Sequence, residues 1–396
     1  MTAPRVALLT YSTKPRGGVA HTLALAEALY AQGVAVQIVA LGDPAAGFYR
    51  KVAAPIMIVP GPPADGSLED RVAASIDRMA SGLADVEADI LHAQDCISAR
   101  AGARVRDTGA GVRLVRTVHH VDDFTSQVLI DCQRAAILEP DIVLVVSEAW
   151  RRILAEEYGV PASVVPNGVD PTRFGGSAAR ARALRRQVGA EHRPLLLTVG
   201  GIEPRKGSDT LIRAMAELSG SRSDRPVLAV VGGHSFQDYR VYRERVLAGI
   251  PELGLRLGDD VVLVGTVPDE DMPAWYAAAD AFAFPSVKEG FGLAVLEAMC
   301  ADVPVVTSDL PVFREYLVPD RDALLVPLGD ATAFAKALGT ALDDRAVRTR
   351  LVNGGRAVAA RYTWPASARR HVEVYGQALL IRDSRVLSDS RKGTLP

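Results

Sequence analysis

The chain has 396 residues, 48% of them hydrophobic and 23% charged, with a formal net charge of −2. That length accommodates two ordinary domains with separate cores, and the composition is that of a globular protein. The lack of a basic excess argues against a nucleic-acid binder or a firm dock for anionic lipid, the more so because residues 1–165 carry 15 Lys and Arg against 19 Asp and Glu.

No apolar leader opens the sequence and no apolar run approaches the length of a membrane span, so a cytoplasmic protein without a transmembrane segment is expected. Cys96, Cys132 and Cys300 are far apart and match no metal-ligand spacing. A sparse, odd count fits a reducing compartment, with each thiol serving as a small apolar packing group.

In chain order, short Val/Leu/Ile runs alternate with longer helical patterns. Strands are predicted at 5–10, 34–41, 54–60, 89–93, 113–118, 141–147 and 162–166, then at 195–200, 226–232, 261–266, 281–285, 303–307 and 323–326. Runs that are apolar at consecutive positions, such as Ile142-Val-Leu-Val-Val146, suit parallel strands covered on both faces. The first long helix, 19–32, keeps Val19, Leu23, Ala26 and Leu29 on one stripe and stops at Gly33.

This alternation predicts βαβ units, hence an α/β fold of two doubly wound, Rossmann-like domains in succession. The break falls at the turn-rich Pro166-Asn-Gly-Val-Asp-Pro171, giving an N-terminal domain 1–166 and a C-terminal domain 167–363. A Gly/Ala/Arg-rich segment, 175–190, leads into the second half. Residues 364–381 read as a final helix and 382–396 as a disordered polar tail. Open α/β sheets bind ligands beyond the carboxyl ends of their strands, so functional motifs should follow strands, with two facing sheets sharing a cleft.

The most informative motif is Glu289-Gly-Phe-Gly-Leu-Ala-Val-Leu-Glu297, just after the strand 281–285. Gly290 and Gly292 permit close backbone approach, and the helix they open presents unpartnered amides to an anion. Such a turn can hold a diphosphate on the amides near Phe291 and Leu293 while Glu289 and Glu297 accept hydroxyl groups at separate points. After strand 195–200 comes Val199-Gly-Gly-Ile-Glu-Pro-Arg-Lys-Gly207, where Arg205 and Lys206 precede a helix starting near Gly207. Two cations beside an amide-rich turn suit a diphosphate and the charge that grows on it as it leaves. In the first half, Gly17 and Gly18 open helix 19–32, and Arg116-Thr-Val-His-His-Val-Asp-Asp123 ends a strand. A histidine there can hydrogen-bond a reacting sugar. A metal site built from His119, His120, Asp122 and Asp123 is the rival, although adjacent strand-end histidines point apart.

The Glu289–Glu297 run resembles the E-x7-E motif of the retaining glycosyltransferases of family 4, which have the two-domain GT-B fold. Other segments resemble the same family in order and spacing: Gly17-Gly18, the strand-terminal Thr117-Val-His119, Asn167-Gly-Val-Asp170, the basic pair Arg205-Lys206, Val230-Val-Gly-Gly-His234 and Val264-Gly-Thr-Val-Pro268. Gly201 stands where the family often has Arg. The resemblance covers roughly residues 5–380.

It implies a metal-independent hexosyltransferase with no cofactor, whose substrate is a nucleoside-diphosphate sugar. The acceptor would be a hydroxyl of a small molecule, glycan or lipid. By the same resemblance His119, Arg205, Lys206 and Glu289 are catalytic. Gly18, Gly201, Gly232, Val267, Gly290, Phe291, Gly292, Leu293 and Glu297 line the donor site, the first domain binds the acceptor, and helix 364–381 crosses back to that domain. A phosphorylase or sugar-phosphate synthase on the same fold is an alternative, as is a non-catalytic nucleotide-sugar-binding subunit. A nicotinamide dehydrogenase is disfavoured because the G-x-G-x-x-G fingerprint is absent. The Asp pairs at 122–123, 259–260 and 343–344 invite a metal-held diphosphate, but the basic pair and the helix end can replace a cation.

Overall fold

The computed structural model describes residues 4–63, 65–175, 177–233 and 239–381. The predicted disordered tail, 382–396, and His234 lie outside them. The chain divides into two units. Unit 1 comprises the residues up to Val145, Ile153–Val165 and those from Pro365 onward; unit 2 comprises Val146–Arg152 and Pro166–Trp364.

Among the described residues unit 1 has one sheet of seven strands: β1 Val6–Thr10, β2 Val36–Gly42, β3 Ile56–Pro60, β4 Ile90–Ala93, β5 Arg113–Val118, β6 Ile142–Val145 and β7 Ala162–Val164. Their order is β3-β2-β1-β4-β5-β6-β7, and every pairing is parallel. The helices between them are α1 Gly17–Ala31, α2 Leu68–Leu83, α3 Cys96–Asp107, α4 Gln127–Leu138 and α5 Glu148–Tyr158. β1 explains its central place: Val6, Ala7, Leu8 and Leu9 are all essentially inaccessible, which only a strand covered on both faces allows. Capping boxes, Ser67 with Asp70 and Asp95 with Ser98, start α2 and α3.

Unit 2 repeats the plan with β8 Leu195–Val199, β9 Val227–Val231, β10 Val261–Gly265, β11 Ala281–Phe284, β12 Val305–Ser308 and β13 Leu324–Val326, in the order β10-β9-β8-β11-β12-β13. Its helices are α6 Ala178–Gln187, α7 Ser208–Gly220, α8 Arg240–Ala248, α9 Met272–Ala278, α10 Leu293–Cys300, α11 Pro311–Arg314, α12 Ala331–Asp343 and α13 Arg345–Ala359. The Gly/Ala/Arg-rich stretch at 175–190 is thus mostly helix α6, started by Ser177, whose hydroxyl accepts from the Arg180 amide. The last helix, α14 Trp364–Leu380, belongs to unit 1 from Pro365 onward.

All thirteen predicted strands correspond to observed ones, and the domain limits shift by a single residue, to 165/166 and 364/365. One assignment is corrected: Val146–Arg152, expected in the first domain, groups with unit 2. The reason is local. Trp150 is buried and its indole N–H donates to the Glu289 carbonyl at 2.9 Å, while the Glu315 carboxylate accepts from the amides of Glu148 and Ala149 at 2.8 and 2.6 Å. A carboxylate on the orphan amides of a helix start is a favourable cap.

The strand order reverses once in each sheet, between β1 and β4 and between β8 and β11. Doubly wound sheets bind ligands beyond the strand ends at such a reversal.

The Asn167–Asp170 turn packs closely within unit 2. The Val169 amide donates to the Tyr362 carbonyl at 2.9 Å, and a β-carbon on Gly168 would lie 2.2 Å from the Trp364 nitrogen. Backbone cannot yield as a flexible side chain can. Gly168→Ala should therefore lower stability by about 2 kcal/mol or more. Gly175→Ala, which meets nothing within 4 Å, should be near neutral. Denaturant midpoints of the two variants check this; equal midpoints would contradict it.

Candidate active site

In unit 2 the loops after β8 and β11 meet at the reversal of strand order. The Val287 amide donates to the Arg205 carbonyl at 2.8 Å, and the Arg205 guanidinium donates to the Lys288 carbonyl at 3.1 Å. Between the loops sits Gly207 with φ +66, and a β-carbon there would lie 1.9 Å from the Pro285 carbonyl oxygen. Only glycine permits both the left-handed turn and that approach.

This junction brings three of the sequence-predicted catalytic residues onto one atom. Glu289 Oε1 accepts from Lys206 Nζ at 2.7 Å, from Arg205 at 3.1 Å and from the Ser286 hydroxyl at 2.9 Å. The Lys206 ammonium also lies 4.5 Å from the centre of the Phe284 ring. Burial pushes the Glu289 carboxyl up, but Lys206 and Arg205, with hydrogen bonds from Lys206 and Ser286, bring it down to about 2. Lys206 itself is lowered by burial, against the pull of Glu289. Glu289 is thus a fixed anion, and the ammonium, with three donors, commits one of them to it.

The turn Gly290-Phe291-Gly292 leads into α10. Phe291 is buried and stacks on Tyr316 at 5.0 Å between ring centres, and the Tyr316 hydroxyl donates to the Phe291 carbonyl at 2.8 Å. Leu293 is the first residue of α10, so its amide is one of the helix's orphan donors. Glu297 lies in the second turn. Its Oε2 accepts from the Tyr276 hydroxyl at 2.7 Å, and burial raises its pKa with that hydrogen bond opposing. Gly201 lies against the loop after β9, where its β-carbon would be 2.4 Å from the Gly233 carbonyl. Gly232 likewise abuts the Gly200 backbone, and Val267 packs its side chain on the core.

Unit 1 places the other two predicted residues side by side. A β-carbon on Gly18, at the start of α1, would lie 3.8 Å from His119 Cδ2, beyond the end of β5. His119 Nε2 donates to Gln94 Oε1 at 3.0 Å. The ring stands edge-on to His21, 4.6 Å between centres. Behind it His92 bonds Tyr375 at 2.8 Å and Thr117 at 2.7 Å, and lies 5.5 Å from His371, whose Nδ1 donates to the Ser367 carbonyl at 2.9 Å. His120 instead contacts Asp122 at 3.2 Å. Among the described residues no group of three or more His, Cys, Asp or Glu has the arrangement of a metal site. Asp260 is fully buried and is held by Arg193, Arg225 and Arg256, and Asp343 pairs with Arg222.

Sequence reasoning missed Gln94, Trp150, Tyr276 and Tyr316, which hold the predicted residues. Each sits in a segment read as ordinary helix or loop, and their roles depend on which strand lies next to which. For Gln94 a signal existed, since it directly follows the predicted strand 89–93.

Comparisons with known proteins identify the family and the fold. The family profile for glycosyl transferases group 1 matches residues 181–358, and that for glycosyltransferase family 4 matches residues 15–173. A D-inositol 3-phosphate glycosyltransferase of Xylanimonas cellulosilytica is 30% identical over 96% of this chain and 99% of its own length. The chain belongs to the group 1, family 4 glycosyltransferases. A second relative of the same name, from Kineococcus radiotolerans, is 30% identical over 83% of this chain and 82% of its own. Among solved structures, HepE of Anabaena in complex with UDP and glucose superposes with a TM-score of 0.80 at 21% identity, over 94% of this chain and 100% of that one. Sucrose-phosphate synthase of Thermosynechococcus elongatus gives 0.78 at 24% identity, over 94% and 98%. The fold is therefore GT-B. No helix among the described residues is long and apolar enough to cross a membrane.

The buried histidines are expected to make this family 4 protein acid-sensitive. Burial lowers His92 and His119 well below the ordinary value, and lowers His371 to about 4. The unfolded chain therefore takes up protons first. Stability is fully present above the unfolded value of 6.5 and is lost as pH falls through the window down to about 4 for His371. His371 should contribute a loss of roughly 2 kcal/mol by about pH 5, and His92 and His119 act in the same direction. His371→Gln should flatten the dependence of the denaturant midpoint on pH by about one proton; an unchanged slope would contradict the assignment.

Proposed function

We propose that this glycosyltransferase transfers a hexosyl group from a nucleoside-diphosphate sugar to an acceptor hydroxyl, with retention of configuration and without a metal ion. The observation that carries this reading is the convergence of Lys206, Arg205 and Ser286 on Glu289, beside an amide-bearing helix start at the reversal of strand order. Unit 2 is the donor side. Glu297 takes the ribose hydroxyls, and the amides around Phe291–Leu293 take the phosphate. Glu289 takes a sugar hydroxyl. Lys206 and Arg205 offset the charge that accumulates on the departing diphosphate, the task a divalent cation performs elsewhere.

In unit 1, His119 is a neutral hydrogen-bonding group, because burial holds its pKa down. In the retaining step the bond between the anomeric carbon and the diphosphate breaks. The acceptor oxygen attacks from the face the leaving group vacates, and a phosphate oxygen takes the acceptor's proton. The name borne by the curated relatives makes a phosphorylated inositol the first acceptor to try.

The test is a donor screen. Purified protein meets UDP-, GDP- and ADP-sugars with and without EDTA, read by thermal shift and by slow hydrolysis, with Glu297→Ala alongside. One donor should stabilise the protein in EDTA and lose its effect in the variant, and a product of the same anomeric configuration should form once an acceptor is supplied. Silence toward all donors would sink the reading. Lys206→Ala should lower kcat about a hundredfold at saturating donor while KM changes far less. An unchanged kcat would remove Lys206 from the transition state.

A further inference from the structure

Glu297 is held by a residue that no motif marks. Tyr276, in α9, is completely buried, and its ring is fixed edge-on to Phe174 and tilted against Phe282, each at 5.7 Å between centres. Its hydroxyl donates to Glu297 Oε2 at 2.7 Å. The phenol has no rotational freedom to offer that bond elsewhere, so the carboxylate is pinned on one oxygen. Among the described residues Oε1 has no protein partner. Glu297 is one turn into α10, whose own hydrogen-bond ladder and packing hold the Cα in place. The remaining freedom is the side-chain torsion, and the tyrosine removes it.

We propose that Tyr276 is the positioning residue of the donor's ribose subsite: it holds Glu297 Oε2 so that the carboxylate is already aimed at the ribose 2′- and 3′-hydroxyls before the nucleotide arrives. The inference rests on the reading of Glu297 given above and deepens it. A carboxylate oxygen has two lone-pair sites, so Oε2 can keep the phenol while Oε1 accepts a ribose hydroxyl. Preorganisation of this kind lowers the ordering cost of binding, and the benefit goes only to ligands that use the carboxylate. Tyr276 is therefore a specificity determinant for ribonucleotides, although it meets no ligand atom itself.

Tyr276→Phe keeps the ring and its packing and adds neither volume nor charge to the core, so the variant is expected to fold. Binding of UDP, GDP and ADP to the intact chain is measured by calorimetry, alongside the 2′,3′-dideoxy form of whichever binds. Tyr276→Phe should weaken the ribonucleotide about tenfold and the dideoxy form little, because only a ligand with ribose hydroxyls uses the carboxylate that the lost hydrogen bond positioned. In a Glu297→Ala background the same substitution should have no further effect. Equal weakening of both nucleotides, or undiminished weakening in the Glu297→Ala background, would show a packing role and overturn the proposal. Unchanged affinity in Tyr276→Phe would overturn it as well. If Glu297→Ala alone leaves ribonucleotide affinity intact, the fault lies in the ribose reading, and this inference falls with it.

Discussion

Unit 2 of this glycosyltransferase depends on one buried anion. Glu289 sits between two cations and a hydroxyl, and the three donors come from two loops that follow neighbouring strands, β8 and β11. Removing charges from water is costly, and a buried pair is often no better for stability than apolar packing. What such an arrangement supplies is position. Lys206 can be aimed only because Glu289 meets it, and Glu289 stays ionised only because Lys206 and Arg205 are there. The surrounding structure secures the junction: Trp150 holds the Glu289 carbonyl, Tyr316 holds the Phe291 carbonyl, and Gly207 lets Pro285 approach.

Much of the architecture was legible because parallel strands buried on both faces are written as unbroken apolar runs, a signal independent of tertiary context. The Glu289–Glu297 segment and the Arg205-Lys206 pair were legible for a related reason. Each follows a strand directly, and glycines with charges at a strand end have few structural explanations. The assignment of Val146–Arg152 was not legible. Those residues follow β6 without a break, and the contacts that draw them to unit 2, Trp150 with the Glu289 carbonyl and the Glu148 and Ala149 amides with Glu315, lie 139 to 167 positions away. Helix α6 was hidden by composition: its Ala and Arg residues form helix well, but few are buried, so no apolar stripe announced it. The supports Tyr276, Tyr316 and Gln94 share one property. Their partners are 21, 25 and 25 residues away, and local pattern carries no information about which strand lies alongside.

The same contrast runs through unit 1. His119 was found by its place after β5, yet its environment, with His21, His92 and His371 close by, draws on α1, β4 and α14, three elements distant in sequence. Packing neutral imidazoles together is tolerable only while none is protonated, and burial enforces that condition. The cluster therefore gives His119 neutrality, at the expense of tolerance to acid.

The two carboxylates of the E-x7-E run show how one motif yields two chemistries. Eight residues apart, they lie in opposite electrostatic surroundings. Glu289 is surrounded by cations and its pKa falls, so it holds its charge through the neutral range. Among the described residues no cation is hydrogen-bonded to Glu297 and its one protein hydrogen bond comes from a neutral phenol, while burial raises its pKa. An anion locked to cations is suited to a site where charge must stay constant while a diphosphate departs. A carboxylate held by a neutral donor, with one oxygen left over, is suited to neutral hydroxyls, which need an acceptor and no counter-charge. The motif's spacing sets where the two groups stand, and the residues brought in by the sheet, Lys206 to one and Tyr276 to the other, set what each can bind.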